Sequence, residues 1–430
     1  MKIFKFKSIL FFITVFNFCL IPNLKSRNDD KSLLFFIAKD TVKNEIMGYF
    51  YRTQSPLYTD PLAPRFVVAS RNQNFMMGIG GYIMARAFVD FDGISTSDDF
   101  LSYNIPIPMN SNQRSQFNVT AASSRIFTRI IGNTKKLGKI VGYIEGDFLG
   151  SNRTFRLRHA YITLNNFTFG QTGSFFTDPY SFLPSVDQNG SIAFTSQRNP
   201  LIGYSRNLKN GFGFGLALEQ IGYTGLFSAA TKTESAYPKL PAFPAYIQFG
   251  KDGSHIRLTG VVRGLTYHDV AKNNYPMNLG VGGKVSWKLV FNPTFLFLGQ
   301  AYYGKGGSNF TVDLSGKNLD IIPCPKTLGR MQSAKSAAWY GGFRINYSKI
   351  VHSSISYSRV DYYATKSFKS SSLFESATTY KYGQNFCANI IWDFISSTSC
   401  GIEYWWGERV NYDGSKCHAN RIYTMIRYNF

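Results

Sequence analysis

Arginines recur at close, even spacing in two stretches of the chain, Arg125 with Arg129 and Arg156 with Arg158, and between them stand two carboxylates spaced the same way, Glu145 and Asp147. On extended backbone such spacing puts each set on one face. Folding the chain about residue 135 sets Arg125 beside Glu145, and folding it near residue 151 sets Glu145 beside Arg158 and Asp147 beside Arg156. The result is a wall in which bases outnumber acids, a surface suited to attracting anions. The same pairs would equally serve to knit the wall and satisfy buried charge, and spacing alone does not choose between the two. Catalysis is a poorer reading. The five histidines, His159, His255, His268, His352 and His418, are scattered, and no Gly-x-Ser-x-Gly, CxxC or His/Cys metal spacing occurs, so neither an enzyme nor a cofactor or metal site is expected.

The elements that hold these residues must be strands. From Phe75 the sequence divides into about sixteen alternating segments, most of them close to the ~9–11 residues that a tilted membrane strand requires. Charges keep to one parity. Arg86 stands opposite Ile83, Ala85, Ala87 and Val89; Lys284 and Lys288 stand opposite Val281, Val285, Trp287 and Leu289. Arg257 and Arg263 oppose Ile256, Leu258 and Val262, and Arg344 opposes Trp339, Phe343 and Ile345. Arg421 and Arg427 follow the same rule. A charge on a lipid face costs roughly 2–4 kcal/mol near the midplane, so this segregation is what a barrel with a polar lumen demands. The connections alternate between short turns such as Asn165-Asn166 and Asp252-Gly253 and long loops such as 92–116, 173–198, 222–243 and 304–335. Short periplasmic turns facing long extracellular loops are the mark of a bacterial outer-membrane barrel. The expected fold is therefore all-β, a single transmembrane antiparallel barrel over residues 75–430.

Both ends of the chain agree. Lys2, Lys5 and Lys7 precede an apolar run from Ile9 to Ile21, which reads as a signal peptide over 1–26. Residues 27–74 are mixed and turn-rich, an N-terminal periplasmic extension or linker, with a short plug as a further option. At the far end Ile422, Thr424, Ile426, Tyr428 and Phe430 share one face, and a terminal Phe with an aromatic two places earlier resembles the C-terminal signature by which the barrel assembly machinery recognises its clients. A formal net charge of +22 and a pI near 9.7 favour anionic solutes inside the lumen and anionic lipopolysaccharide outside it; nucleic acid is a poor partner for an exported chain. With 27 Tyr and 39 Phe but a mean hydropathy of −0.14, the apolar surface must be hidden in alternation rather than in helical spans. Cys387 shares a parity with Asn385 and Asn389, and Cys400 with Ile402, Tyr404 and Trp406, so the two point apart; Cys324 and Cys417 fall in expected extracellular loops, where a disulfide is permitted.

The third long connection carries Asp178 and Asp187. A 16-stranded barrel leaves an open lumen. The resemblance of this connection to general porins, where a loop at this place in the order folds inward, implies a constriction between Asp178 or Asp187 and the Arg125, Arg156, Arg158 and Arg198 wall; the alternative is a loop covering a neighbouring subunit. The segments Gly80-Gly-Tyr-Ile-Met-Ala-Arg-Ala, Gly142-Tyr-Ile-Glu-Gly-Asp-Phe148, Phe155-Arg-Leu-Arg-His-Ala-Tyr161 and Phe169-Gly-Gln-Thr-Gly-Ser-Phe-Phe-Thr-Asp178 resemble the DcaP-like trimeric porins. That resemblance implies a 16-stranded homotrimer passing small carboxylates through an arginine-lined constriction, and it carries to Arg125, Arg156, Arg158, Gln171 and Arg198. A porin for small anions is the reading, with an adhesin or purely structural barrel as its competitor.

Overall fold

The computed structural model describes residues 33–35, 43–52, 59–70, 74–134, 138–324, 327–371 and 373–430. The expected signal peptide lies outside the described residues, Cys19 with it. Sixteen antiparallel strands close into a barrel. They are β1 (Phe75–Phe91), β2 (Ser115–Thr120, resumed as Arg125–Thr134), β3 (Gly138–Asp147), β4 (Arg156–Leu164), β5 (Phe167–Gly173), β6 (Arg198–Asn207), β7 (Phe212–Glu219) and β8 (Phe243–Lys251). The second half is β9 (Ser254–Asp269), β10 (Met277–Val290), β11 (Phe295–Lys305), β12 (Lys335–Asn346), β13 (Val351–Tyr363), β14 (Tyr380–Ile395), β15 (Thr398–Asn411) and β16 (Lys416–Asn429). Closure comes from β16 against β1, where Asn420 lies opposite Phe91 and Asn429 opposite Tyr82.

Strict alternation produces this sheet because one flank of each strand must meet hydrocarbon, where only a closed ladder leaves no backbone group unpaired. Ile83, Leu258, Leu279, Phe343 and Ile426 are exposed on the outer face, while Arg86, Arg257, Lys284 and Arg421 are buried on the inner one. The Asp252-Gly253 turn has φ of +53° and +82°, the left-handed pair that lets a two-residue hairpin follow the twist of its strands. Strand β2 is broken at 121–124, where the Ser124 N–H donates to the Ala121 carbonyl at 3.0 Å.

Two registers differ from expectation. Thr134 pairs with Gly138, so that hairpin folds about residue 136 and sets Arg125 opposite Asp147, with Phe127 opposite Glu145. Between β3 and β4, Asp147 does face Arg156, but Glu145 pairs with His159 and Gly146 with Leu157, leaving Arg158 as the extra residue of a β-bulge. An inserted residue reverses parity beyond it. Strict alternation from the exposed Leu157 would put His159 and Tyr161 on the outer face; with the bulge they stand on the inner one, within 6.1 Å and 5.5 Å of the Tyr143 ring.

The inside of the barrel is partly filled by its own loops. Phe176, Phe182, Ile192 and Phe194 from the β5–β6 loop pack with Phe310, Leu314 and Ile322 of the β11–β12 loop against Leu298, Tyr302 and Tyr340 of the wall. Phe100 and Ile105 of the β1–β2 loop join Val186, Trp405 and Tyr423 in a second cluster. A third cluster lies against the inner side of β1–β3: Met47 and Phe50 of helix α1 (Lys43–Arg52) pack with Val67, Ala69, Met76, Ile131 and Val141. The strand Phe66–Ala69 pairs antiparallel with the first part of β1, Val67 opposite Gly78. Gly78 is required there, since a Cβ would stand 2.5 Å from the Pro64 ring. Cys324, Cys387 and Cys417 are free thiols, and Cys417 lies on β16 rather than in a loop.

Candidate functional site: an arginine cluster on the lumen wall

Neighbouring strands β2, β3 and β4 build the cluster, because even spacing on each strand brings every second side chain to the inner face. Two carboxylates organise it. Asp147 is gripped in bidentate fashion by Arg156, Nε to Oδ1 at 3.0 Å and Nη2 to Oδ2 at 2.7 Å, and also accepts from Arg158 Nη1 at 3.1 Å. Glu145 accepts from Arg158 Nε at 2.6 Å and from the Tyr143 hydroxyl at 2.5 Å, with Arg125 Nη1 3.7 Å away. Both acids are buried, yet the Arg156 side chain is 40% exposed. Paired planar groups of this kind fix guanidinium orientation while leaving an outer edge free to receive an oxyanion. Arg198, half-buried at the start of β6, lies within electrostatic reach of Arg158, Arg125 and Arg156. Arg129 lies over the Tyr143 ring at 4.8 Å and donates to the Phe50 carbonyl at 3.1 Å.

Two further groups on this cluster were not anticipated. Asp60, from the segment before β1, accepts from Arg125 Nη1 at 2.7 Å and stands 3.7 Å from Arg158 Nη2. Gln188, from the β5–β6 loop, accepts from Arg125 Nη2 at 2.9 Å. A family model described as DcaP outer membrane protein matches residues 69–430.

The chain belongs to the DcaP outer membrane protein family. As members of that family are outer-membrane channels, so is this barrel. Among solved structures, the outer membrane channel DcaP of Acinetobacter baumannii is 21% identical with a TM-score of 0.71, covering 84% of this chain and 99% of that one. OmpF of Salmonella typhi, in complex with daunomycin, gives a TM-score of 0.53 at 10% identity over 84% of this chain and 99% of its own. An anion-selective porin from Comamonas acidovorans gives 0.51 at 11% identity over 83% and 100%. No curated relative matches the sequence.

In this DcaP-family barrel the acids of the β5–β6 loop do not face the arginine cluster. Asp178 is instead held on the opposite wall by His255 Nε2 at 3.0 Å and Ser286 Oγ at 2.6 Å, with Arg257 at 3.7 Å. Burial pushes its carboxyl up, but the His255 hydrogen bond and the charges of Arg257 and Lys284 outweigh it and hold the group well below the usual range. Asp187 accepts from Phe100 N–H at 2.6 Å and the Tyr423 hydroxyl at 2.9 Å. Its burial beside Asp99 pushes it up to about 7. It is the next residue, Gln188, that turns toward Arg125.

Gln171 also departs from expectation. It pairs with Ala160 and Pro200 on the outer parity, its amide 3.4 Å from the Leu157 and Arg158 carbonyls at the bulge. Most remaining lumen cations hold loops. Arg86 bonds Asp99 at 2.7 Å, Arg421 clasps Asp90, and Arg263 reaches Asp320 at 3.0 Å. Lys284 donates to the Phe176 carbonyl and to Thr195 Oγ1. Arg427 lies 5.5 Å over the Tyr82 ring, whereas Lys288 and Arg344 stay half-buried, Arg344 donating to Asn346 at 2.9 Å.

Glu403 was missed altogether. This buried acid of β15 accepts from Ser185 Oγ, Val186 N–H at 2.9 Å, Asp187 N–H at 2.8 Å, Asn389 Nδ2 and Trp405 Nε1. The available signal was a lone carboxylate within a run that is otherwise uncharged, Gly401-Ile-Glu-Tyr-Trp405.

Proposed function

We propose that this channel passes small anions, carboxylates foremost, along the Arg125, Arg156, Arg158 and Arg198 cluster. The observation that carries the reading is the 40% exposure of Arg156 beside fully buried acids: positive charge is presented to the lumen while the compensating negative charge is withdrawn from it. In a narrow, low-dielectric pore this concentrates counter-ions. The β5–β6 loop, tied to Glu403 and to Arg125, narrows the path on this reading.

A homotrimer fits the wall heights. Strand β5 has 7 residues, whereas β14 has 16. A tilted strand of that shorter length rises only about 16 Å, against an apolar band of ~25 Å, so the low wall needs a neighbouring subunit to cover it. At the extracellular end, Lys305 pairs with Lys335 on the outer parity next to exposed Tyr303 and Tyr363, a surface suited to anionic lipopolysaccharide. Phe430, paired with Gly81 at the seam, is the group offered to the assembly machinery.

Planar-bilayer recording in asymmetric KCl tests the central claim. A reversal potential on the chloride side supports it, and cation selectivity refutes it.

A further inference from the structure

The segment ahead of the barrel is built into the lumen at the arginine cluster. Arg125 Nη1 donates to both the Asp60 carboxylate, at 2.7 Å, and the Thr59 carbonyl, at 2.8 Å. Tyr82 donates to the same carbonyl at 3.0 Å, and Arg129 to the Phe50 carbonyl. Thr59 and Asp60 are buried, and Phe50 is fully enclosed against the inner wall. The family match begins at residue 69, so these groups precede it. From this geometry we infer that Asp60 is a tethered carboxylate ligand of the arginine cluster, occupying the position a carboxylate solute would take and giving way to it.

The inference rests on the cluster being the channel's anion site. Four guanidiniums there face three carboxylates, Glu145, Asp147 and Asp60. Glu145 and Asp147 are fixed to barrel strands, so they cannot leave without unpairing the wall. Asp60 is different: it is joined to the barrel through the short strand Phe66–Ala69 and can withdraw with its segment. A carboxylate arriving at Arg125 and Arg158 would restore the charge balance that Asp60 supplies in the empty channel. Because the tether keeps Asp60 at high local concentration, the cluster would take only solutes present in abundance or carrying more than one carboxylate.

The test uses the full mature chain in planar bilayers, with succinate as the probe and half-blocking concentration as the readout. Asp60→Asn is expected to lower that concentration about ten-fold, and Arg158→Ser to raise it. If Arg158→Ser weakens block but Asp60→Asn leaves it at the wild-type value, the anion site stands and the tethered ligand is refuted. If neither variant changes block, or succinate does not block at all, the anion-site reading fails and this inference fails with it. Hydrogen exchange of the wild-type protein gives a readout free of mutation: residues 43–52 and 59–60 should exchange faster at blocking succinate concentrations. Unchanged exchange there refutes displacement.

Discussion

Arg158 Nε lies 2.6 Å from Glu145 Oε1 although the two residues are not sheet partners, because a bulge inserts Arg158 between Leu157 and His159. The extra residue lets one guanidinium span both Glu145 and Asp147, with its far edge toward Asp60. Bulges commonly re-aim a side chain in this way.

Replacing Arg156 and Arg158 with Ser removes two lumen charges and leaves Glu145 and Asp147 without their closest guanidinium partners. Chloride-over-potassium permeability should fall on the order of ten-fold. Reversal potential in a KCl gradient measures it, and an unchanged value would remove both residues from the conducting path.

Glu403 gathers donors from the β5–β6 loop and from its own wall. Glu403→Ala should loosen the loop at a cost on the order of 1–3 kcal/mol for each buried donor it leaves without a partner. Single-channel conductance should rise and the open current become noisier, while the barrel keeps its resistance to unfolding in detergent.

The pH response follows from Asp187, whose carboxyl is pushed up to about 7 by burial and by Asp99. The folded loop then holds the proton more tightly than the unfolded chain, whose carboxyl titrates near ~3.9. Its contribution to loop stability is complete below that lower value and is lost as pH rises through about 7. Amides around Val186–Asn189, each corrected for its intrinsic exchange rate at that pH, should be less protected at pH 8 than at pH 5.5, and Asp187→Asn should flatten the difference.

Phe430 exchanges two backbone hydrogen bonds with Gly81, at 3.0 and 3.1 Å, where the last strand meets the first. Phe430→Ser keeps those bonds but removes the aromatic ring proposed above as the assembly signal. Outer-membrane yield should drop several-fold while the protein refolded in detergent stays equally stable; loss of stability instead would assign the ring a packing role.

The sequence by itself determined the barrel, its strand number and the side on which each cation stands, because period-two alternation and the penalty for charge in lipid are local properties of each strand. Arg86, Lys284, Arg344 and Arg421 all lie on the face their neighbours dictate. What those cations do there was decided only by the tertiary structure. Whether Arg421 lines a pore or clasps Asp90 depends on the register in which the last strand closes on the first, and whether Arg125 meets a loop aspartate or Gln188 and Asp60 depends on where segments far away in the chain come to rest. A single inserted residue at Arg158 likewise turned His159 inward, since no periodicity marks a bulge until the partner strand is in place.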